Sequence, residues 1–209
     1  MRFILCLIAA SLLAGAAQAA DLTVAVRNAR GQPIRDAVVT LYPASGIGGG
    51  PIKFDWPYRM AQQNLMFDPF VLVVPAGASV SFPNRDGVRH QVYSFSPTHP
   101  FELKLYGKDE TRSVRFDKAG VVALGCNIHD SMVAFIKVVD TPFAAKSDAA
   151  GLVVLHNIPA GAVTMRVWHP YAKAPDNEIS RAVTLPQNGP ARQDVTLDLR
   201  AAPNHMSNY

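Results

Sequence analysis

The stretch "VVALGCNIHDSMVAFIKVV", residues 121–139, reads as a strand, a tight loop and a second strand. Its apolar, β-branched runs end at Leu124 and resume at Met132, and the loop between them carries Cys126, His129 and Met132 at steps of three. A short loop between two strands turns side chains at such steps toward one point. A thiolate, an imidazole and a thioether are therefore expected to converge there.

Similar runs recur on both sides of this stretch. Before it lie "LTVAVR" (22–27), "DAVVTLY" (36–42), "FVLVV" (70–74), "SVSF" (79–82), "HQVYSF" (90–95) and "RSVRF" (112–116); after it come "LVVLH" (152–156), "VTMRVW" (163–168) and "QDVTLDL" (193–199). Turn-forming sequences such as "NARGQP", "PAGA", "PNRDG", "DKAG", "DAAG" and "IPAG" punctuate the gaps. Many short strands at this spacing make an all-β pattern of the sandwich kind. Only "YRMAQQNLMF" (58–67) invites a helix, but its apolar positions keep no helical period, so it is assigned to a linker or a first strand. The glycine-rich "SGIGGGP" (45–51) is followed by neither Lys-Ser/Thr nor a helix start, and reads as a flexible connection rather than a phosphate cradle. The tail "AAPNHMSNY" (201–209) has little to bury and is expected to be loose.

The 209 residues open with "MRFILCLIAASLLAGAAQAAD", in which Arg2, an apolar run from Phe3 to Ala16 and the small-x-small triplet Ala17-Gln18-Ala19 match an export leader cleaved after Ala19. The run is short for a membrane span of roughly 20 residues, and no basic stop-transfer cluster follows it. Nothing after Ala20 is apolar for long enough to span a bilayer, so a soluble, exported, periplasmic protein is expected. Loss of Arg2 with a segment that holds no acid takes the net charge from +4 to +3. So mild a balance argues against nucleic-acid binding, which needs a clustered basic face.

Of the two cysteines, Cys6 leaves with the leader and Cys126 is left without an intramolecular partner. In an oxidising compartment a lone thiol is buried and inert, paired between chains, or held by a metal. Thiolate, imidazole and a weak thioether suit copper, and a trigonal copper site needs one further imidazole. His90, at the start of "HQVYSF" and 36 positions before Cys126, is the candidate. Each signal is weak alone: C-x-x-H also serves zinc, and a methionine at a strand start is more often core. His99 reads as a loop residue, His156 and His169 belong to other strands, His205 lies in the tail, and Met60 with Met66 makes at most a second soft site. His-Glu-x-x-His, Gly-x-Ser-x-Gly and a second mature cysteine are all missing from the sequence, and no enzyme is predicted.

From about Phe67 to Asp140 the chain resembles a cupredoxin, through "VPAGASVSFPNRDGVRHQVYSF" and "FDKAGVVALGCNIHDSMVAFIKV". The Cys-x-x-His-x-x-Met spacing is similar to that of amicyanins, and the exported arrangement resembles proteins labelled methylamine-utilisation or plastocyanin-like. The resemblance implies a Greek-key β-sandwich holding one type 1 copper ion, with His90, Cys126 and His129 as strong ligands and Met132 as the weak axial one. Two positions depart from the family pattern. Gln91 stands where many cupredoxins have asparagine, which questions the hydrogen bonding that ties the ligand loops together, with Asn84 as a partial replacement. Asp130 stands where amicyanins have proline, placing an acid beside the histidine edge.

Two flanking segments, "LTVAVRNARGQPIRDAVVTLYP" and "AAKSDAAGLVVLHNIPAGAVTMRVWHP", resemble the carboxypeptidase regulatory-like domain, a small transthyretin-like β-sandwich. A two-stranded ribbon at 21–45 is marginal in water on its own. The expected organisation is therefore a leader (1–19), first strands of the second sandwich (20–45), a linker (46–60), a cupredoxin domain (61–140), the remainder of the second sandwich (141–200) and a tail (201–209). The alternative is that the ribbon extends the cupredoxin sheet. Single-electron transfer with a redox partner protein, with His129 presented as the portal, is the expected function. Copper delivery, storage or tolerance with a copper donor or acceptor, and a structural or adhesion module stabilised by its metal, are the alternatives.

Overall fold

The computed structural model describes residues 19–201. All but the last residue of the expected leader, and all but the first of the expected tail, lie outside the described residues. Among the described residues, sixteen strands and one short 3-10 turn (Pro175–Asn177) make up the fold, and no described helix is long and apolar enough to cross a membrane. The all-β reading holds.

The strands that surround the cysteine loop form a five-stranded sheet in the order β5 (Val71–Pro75), β11 (Val133–Val139), β10 (Gly120–Gly125), β7 (His90–Ser94), β8 (Phe101–Tyr106). β6 (Ala78–Pro83) and β9 (Thr111–Phe116) form a ribbon over one face of it. Alternation in β11 buries Ala134, Ile136 and Val138 under this ribbon and sends Val133, Phe135 and Lys137 to the opposite face. Between the layers Val74, Val80, Phe82, Val92, Phe116, Leu124, Cys126, Met132 and Ile136 share one apolar core.

The segment 58–67 contains no helix. It forms a hairpin of β3 (Ala61–Gln63) and β4 (Met66–Asp68), which leans on the ribbon through bridges from Arg59 to Ser81 and from Gln62 to Asn84. Of the expected linker, the glycine-rich part up to Pro51 is exposed, but Phe54 and Trp56 are stacked at 4.5 Å and the Trp56 indole N–H donates to the Val73 carbonyl (2.8 Å). Aromatic side chains with apolar surface beside them pack instead of remaining in solvent.

Two further sheets complete the fold. β1 (Ala19–Arg27) lies between β13 (Leu152–Pro159), antiparallel, and β16 (Ala191–Thr196), parallel. β2 (Val38–Pro43) lies between β12 (Ala144–Lys146) and β14 (Gly161–Trp168), and β15 (Glu178–Leu185) follows β14 at the edge. Leu22, Val24, Val39, Leu41, Val153, Val163, Met165 and Val195 fill the core between them. Val38, Val71, Val73, Val139 and Trp168 join this body to the outer face of the five-stranded sheet, where the Lys137 ammonium pairs with Glu178 (2.9 Å). The strands β8, β12 and β15 were not singled out from the sequence. β8 and β15 carry mostly exposed or half-exposed residues, and β12 is only three residues long.

Candidate metal centre

His90 is the first residue of β7, Cys126 follows the last residue of β10, and Met132 directly precedes β11. Pairing of Gly125 with Val133 closes the loop between β10 and β11, and pairing of Gly125 with Tyr93 brings β7 alongside. Inside the loop the Met132 N–H donates to the His129 carbonyl (2.9 Å), which turns the chain back toward β11. Sequence position therefore places three of the four residues, and sheet order brings the fourth.

The donor atoms meet. Cys126 Sγ lies 4.0 Å from His90 Nδ1 and 3.9 Å from His129 Nδ1, and the three atoms lie within 4.8 Å of one another. The two imidazole rings stand 5.0 Å apart at 61°. His90 and Met132 are fully buried and Cys126 is buried; His129 is partly exposed. Bonds of about 2.0 Å to nitrogen and 2.3 Å to sulfur are typical of a d-block ion. Together they exceed both sulfur-to-nitrogen separations, so one ion is able to bridge Cys126 Sγ to either imidazole at the observed spacing. Met132 belongs to the same core cluster as Cys126.

Around this trio the hydrogen bonding is specific. His90 Nε2 lies 2.8 Å from Asp86 Oδ2, and the carboxylate accepts the amide N–H groups of Asn64 (2.7 Å) and Leu65 (3.1 Å). Burial works to raise the Asp86 carboxyl, but the His90 ring and the two amides outweigh it and hold it below the usual carboxylate value. Gln91 itself ties the two ligand loops: its Oε1 accepts from Asn127 Nδ2 (2.9 Å) while its Nε2 donates to Glu102. Asn84 does not act as the replacement tie. Its side chain braces its own loop, donating to the Val88 and Tyr106 carbonyls (2.8 and 3.1 Å) and accepting the Asp86 N–H (2.9 Å). Asp130 is exposed beside His129.

Asp86, Asn127 and Glu102 were not read from the sequence as parts of this environment. The signal for Asp86 was its place in "NRDGVRH", four residues before His90, although strand spacing alone does not aim one at the other. The other described histidines lie apart from the cluster: His99 packs on Phe116 (4.7 Å between ring centroids), His156 pairs with Asp21 (3.0 Å), and His169 is buried next to Tyr171; His205 lies outside the described residues. Met60 is a core residue on the hairpin side.

Two imidazoles and a thiol converging at the end of a β-sandwich form a cluster of side chains able to hold a metal ion. No family model matches the sequence, and no curated protein is significantly similar to it. Solved cupredoxin structures are similar to part of the chain. A purple cupredoxin from Nitrosopumilus maritimus is 19% identical over 39% of this chain and 98% of its own, with a TM-score of 0.36. A reduced amicyanin mutant is 18% identical over 50% of this chain and 99% of its own, with a TM-score of 0.38. A Cu-containing nitrite reductase from Thermus scotoductus SA-01 is 23% identical over 56% of this chain; this match spans 28% of the reductase, with a TM-score of 0.39.

Proposed function

We propose that this chain is an exported, periplasmic copper protein that passes single electrons, with one type 1 copper ion held by His90, Cys126 and His129 and weakly by Met132. The observation that carries the reading is the convergence of the two Nδ1 atoms on the Cys126 sulfur at 3.9 and 4.0 Å. This donor set, with a buried thioether beside it, matches the trigonal copper site of electron-transfer proteins. Copper bound there supplies a one-electron couple.

The protein's part is to hold the donors rigidly and keep water out. Cys126 and His90 are buried in close-packed sandwich core, and their loops are tied by Gln91 and Asn127, so the donors move little when the charge of the site changes. The partly exposed His129, next to Ile128 at 52% exposure, is the natural contact for a redox partner protein. Burial of His90 and Cys126 also disfavours the ligand exchange that copper delivery requires, which favours electron transfer over copper handling. Hence an electron carrier, not an enzyme, is the reading preferred.

Cu(II)-loaded protein is expected to show the intense visible band of thiolate-to-copper charge transfer, and Cys126→Ser to abolish it. A wild type that takes up zinc stoichiometrically but stays colourless with copper would overturn this reading. Rapid transfer of copper to an acceptor protein without a reversible one-electron wave would replace electron transfer by copper handling.

A further inference from the structure

We propose that Asp86 fixes the tautomer and basicity of His90, and through them lowers the reduction potential of the centre, with the β3–β4 turn as the clamp that holds Asp86. This rests on the copper reading above.

His90 has two ring nitrogens with separate tasks. Nδ1 faces the Cys126 sulfur at 4.0 Å, whereas Nε2 faces Asp86 Oδ2 at 2.8 Å. An ionised carboxylate only accepts, so Nε2 carries the proton and the Nδ1 lone pair is left free for a metal. The negative charge at the far edge of the ring makes the imidazole a stronger donor. A stronger donor favours Cu(II) over Cu(I), because the ion of higher charge gains more from it, and the potential falls. His90 is fully buried and the Asp86 side chain is 12% exposed, so little solvent screens this effect.

The clamp comes from elsewhere in the chain. Asn64 and Leu65, the two residues between β3 and β4, are both left-handed, at φ 56° and 58°. For a leucine, unlike a glycine, this backbone conformation is sterically disfavoured. In that conformation their consecutive amides point at one carboxylate, with Asn64 N–H on Oδ1 (2.7 Å) and Leu65 N–H on Oδ2 (3.1 Å). Asn84 Oδ1 accepts the Asp86 N–H (2.9 Å), and the Arg85 N–H donates to the Gln62 carbonyl (2.9 Å), which fastens the Asp86 loop to the hairpin. Each Asp86 oxygen thus has a backbone donor, and the hydrogen bond to His90 is held in one direction.

The test compares full-length wild type, Asp86→Asn and Asp86→Ala, each loaded with copper, by visible spectrum and by redox titration. It adds nitrogen-15 NMR of the imidazoles in the Cu(I)-loaded wild type. Asp86→Asn keeps the shape and is expected to stay coloured while affinity for Cu(II) relative to Cu(I) falls about tenfold, an upward shift of about 59 mV for one electron. Asp86→Ala is expected to shift further in the same direction. In the wild type the His90 Nε2 proton is expected to be present and slow to exchange. A coloured Asp86→Asn protein with the wild-type potential, or a wild-type His90 protonated on Nδ1 with Cu(I) bound elsewhere on the ring, overturns the inference and leaves the copper reading standing. A colourless copper-loaded wild type overturns the copper reading itself.

Discussion

At the scale of single residues, the proposed copper site separates residues that would hold the metal from one that would adjust it. His90 and Cys126 would supply short, strong bonds, while a thioether bond is long and contributes more to potential than to affinity. Met132→Leu keeps the buried volume and is expected to retain copper and colour with a higher reduction potential, as redox titration would show. His90→Ala removes one of the three short bonds, and isothermal titration is expected to record a large loss of copper affinity. Gln91 makes a different contribution. Gln91→Ala deletes the tie to Asn127 and the bond to Glu102 together, and is expected to cost about 1–2 kcal/mol in urea unfolding while the ligands themselves remain.

Among the elements, the turns that flank the strands show how close packing selects glycine. Gly151 ends the "DAAG" turn before β13 in the left-handed region, at φ 74°, and a Cβ there would lie 2.5 Å from the Val26 carbonyl oxygen. That oxygen cannot move, because it accepts the Ile34 N–H at 3.0 Å and belongs to the central strand β1. Gly161, the first residue of β14, has φ 103° but nothing within 4 Å of the same position. Gly151→Ala is therefore expected to destabilise by about 3 kcal/mol or more, and Gly161→Ala by about 1 kcal/mol of backbone strain alone. Chemical unfolding of the two variants checks the difference.

For the whole molecule, β1 and β2 are interior strands whose neighbours all come from beyond residue 143. A fragment of residues 141–200 lacks both, and is expected to show no cooperative urea transition until residues 20–45 are supplied. An isolated fragment with the full-length midpoint would contradict this. The same body contains a pH-sensitive group. Burial pushes the His169 imidazole down from 6.5 to about 4, against a smaller opposing pull from Asp36 and a backbone bond to Arg35. Because the folded value lies below the unfolded one, the unfolded chain takes up the proton first. Stability is then intact above about pH 6.5 and falls as pH drops toward about 4, by up to about 3 kcal/mol. His169→Asn is expected to flatten the urea midpoint between pH 6.5 and 5.

Much of this was legible in the sequence because it is local. Strand alternation, turn residues and the three-residue steps from Cys126 to Met132 all act over a few positions, and they determine an all-β chain with thiol, imidazole and thioether at one loop. The environment of that loop was not legible in the same way. Asp86 meets amides 21 and 22 positions earlier, Gln91 meets Asn127 across 36, and both contacts depend on which strands lie side by side. Sequence patterns say which face of a strand is buried, but not which polar group ends up opposite it. By itself, then, the sequence determined the strands and the candidate ligands; only the tertiary structure decided how the ligands meet, which carboxylate faces His90, and that a hairpin read as linker or first strand holds that carboxylate in place, because those contacts arise from packing between distant segments.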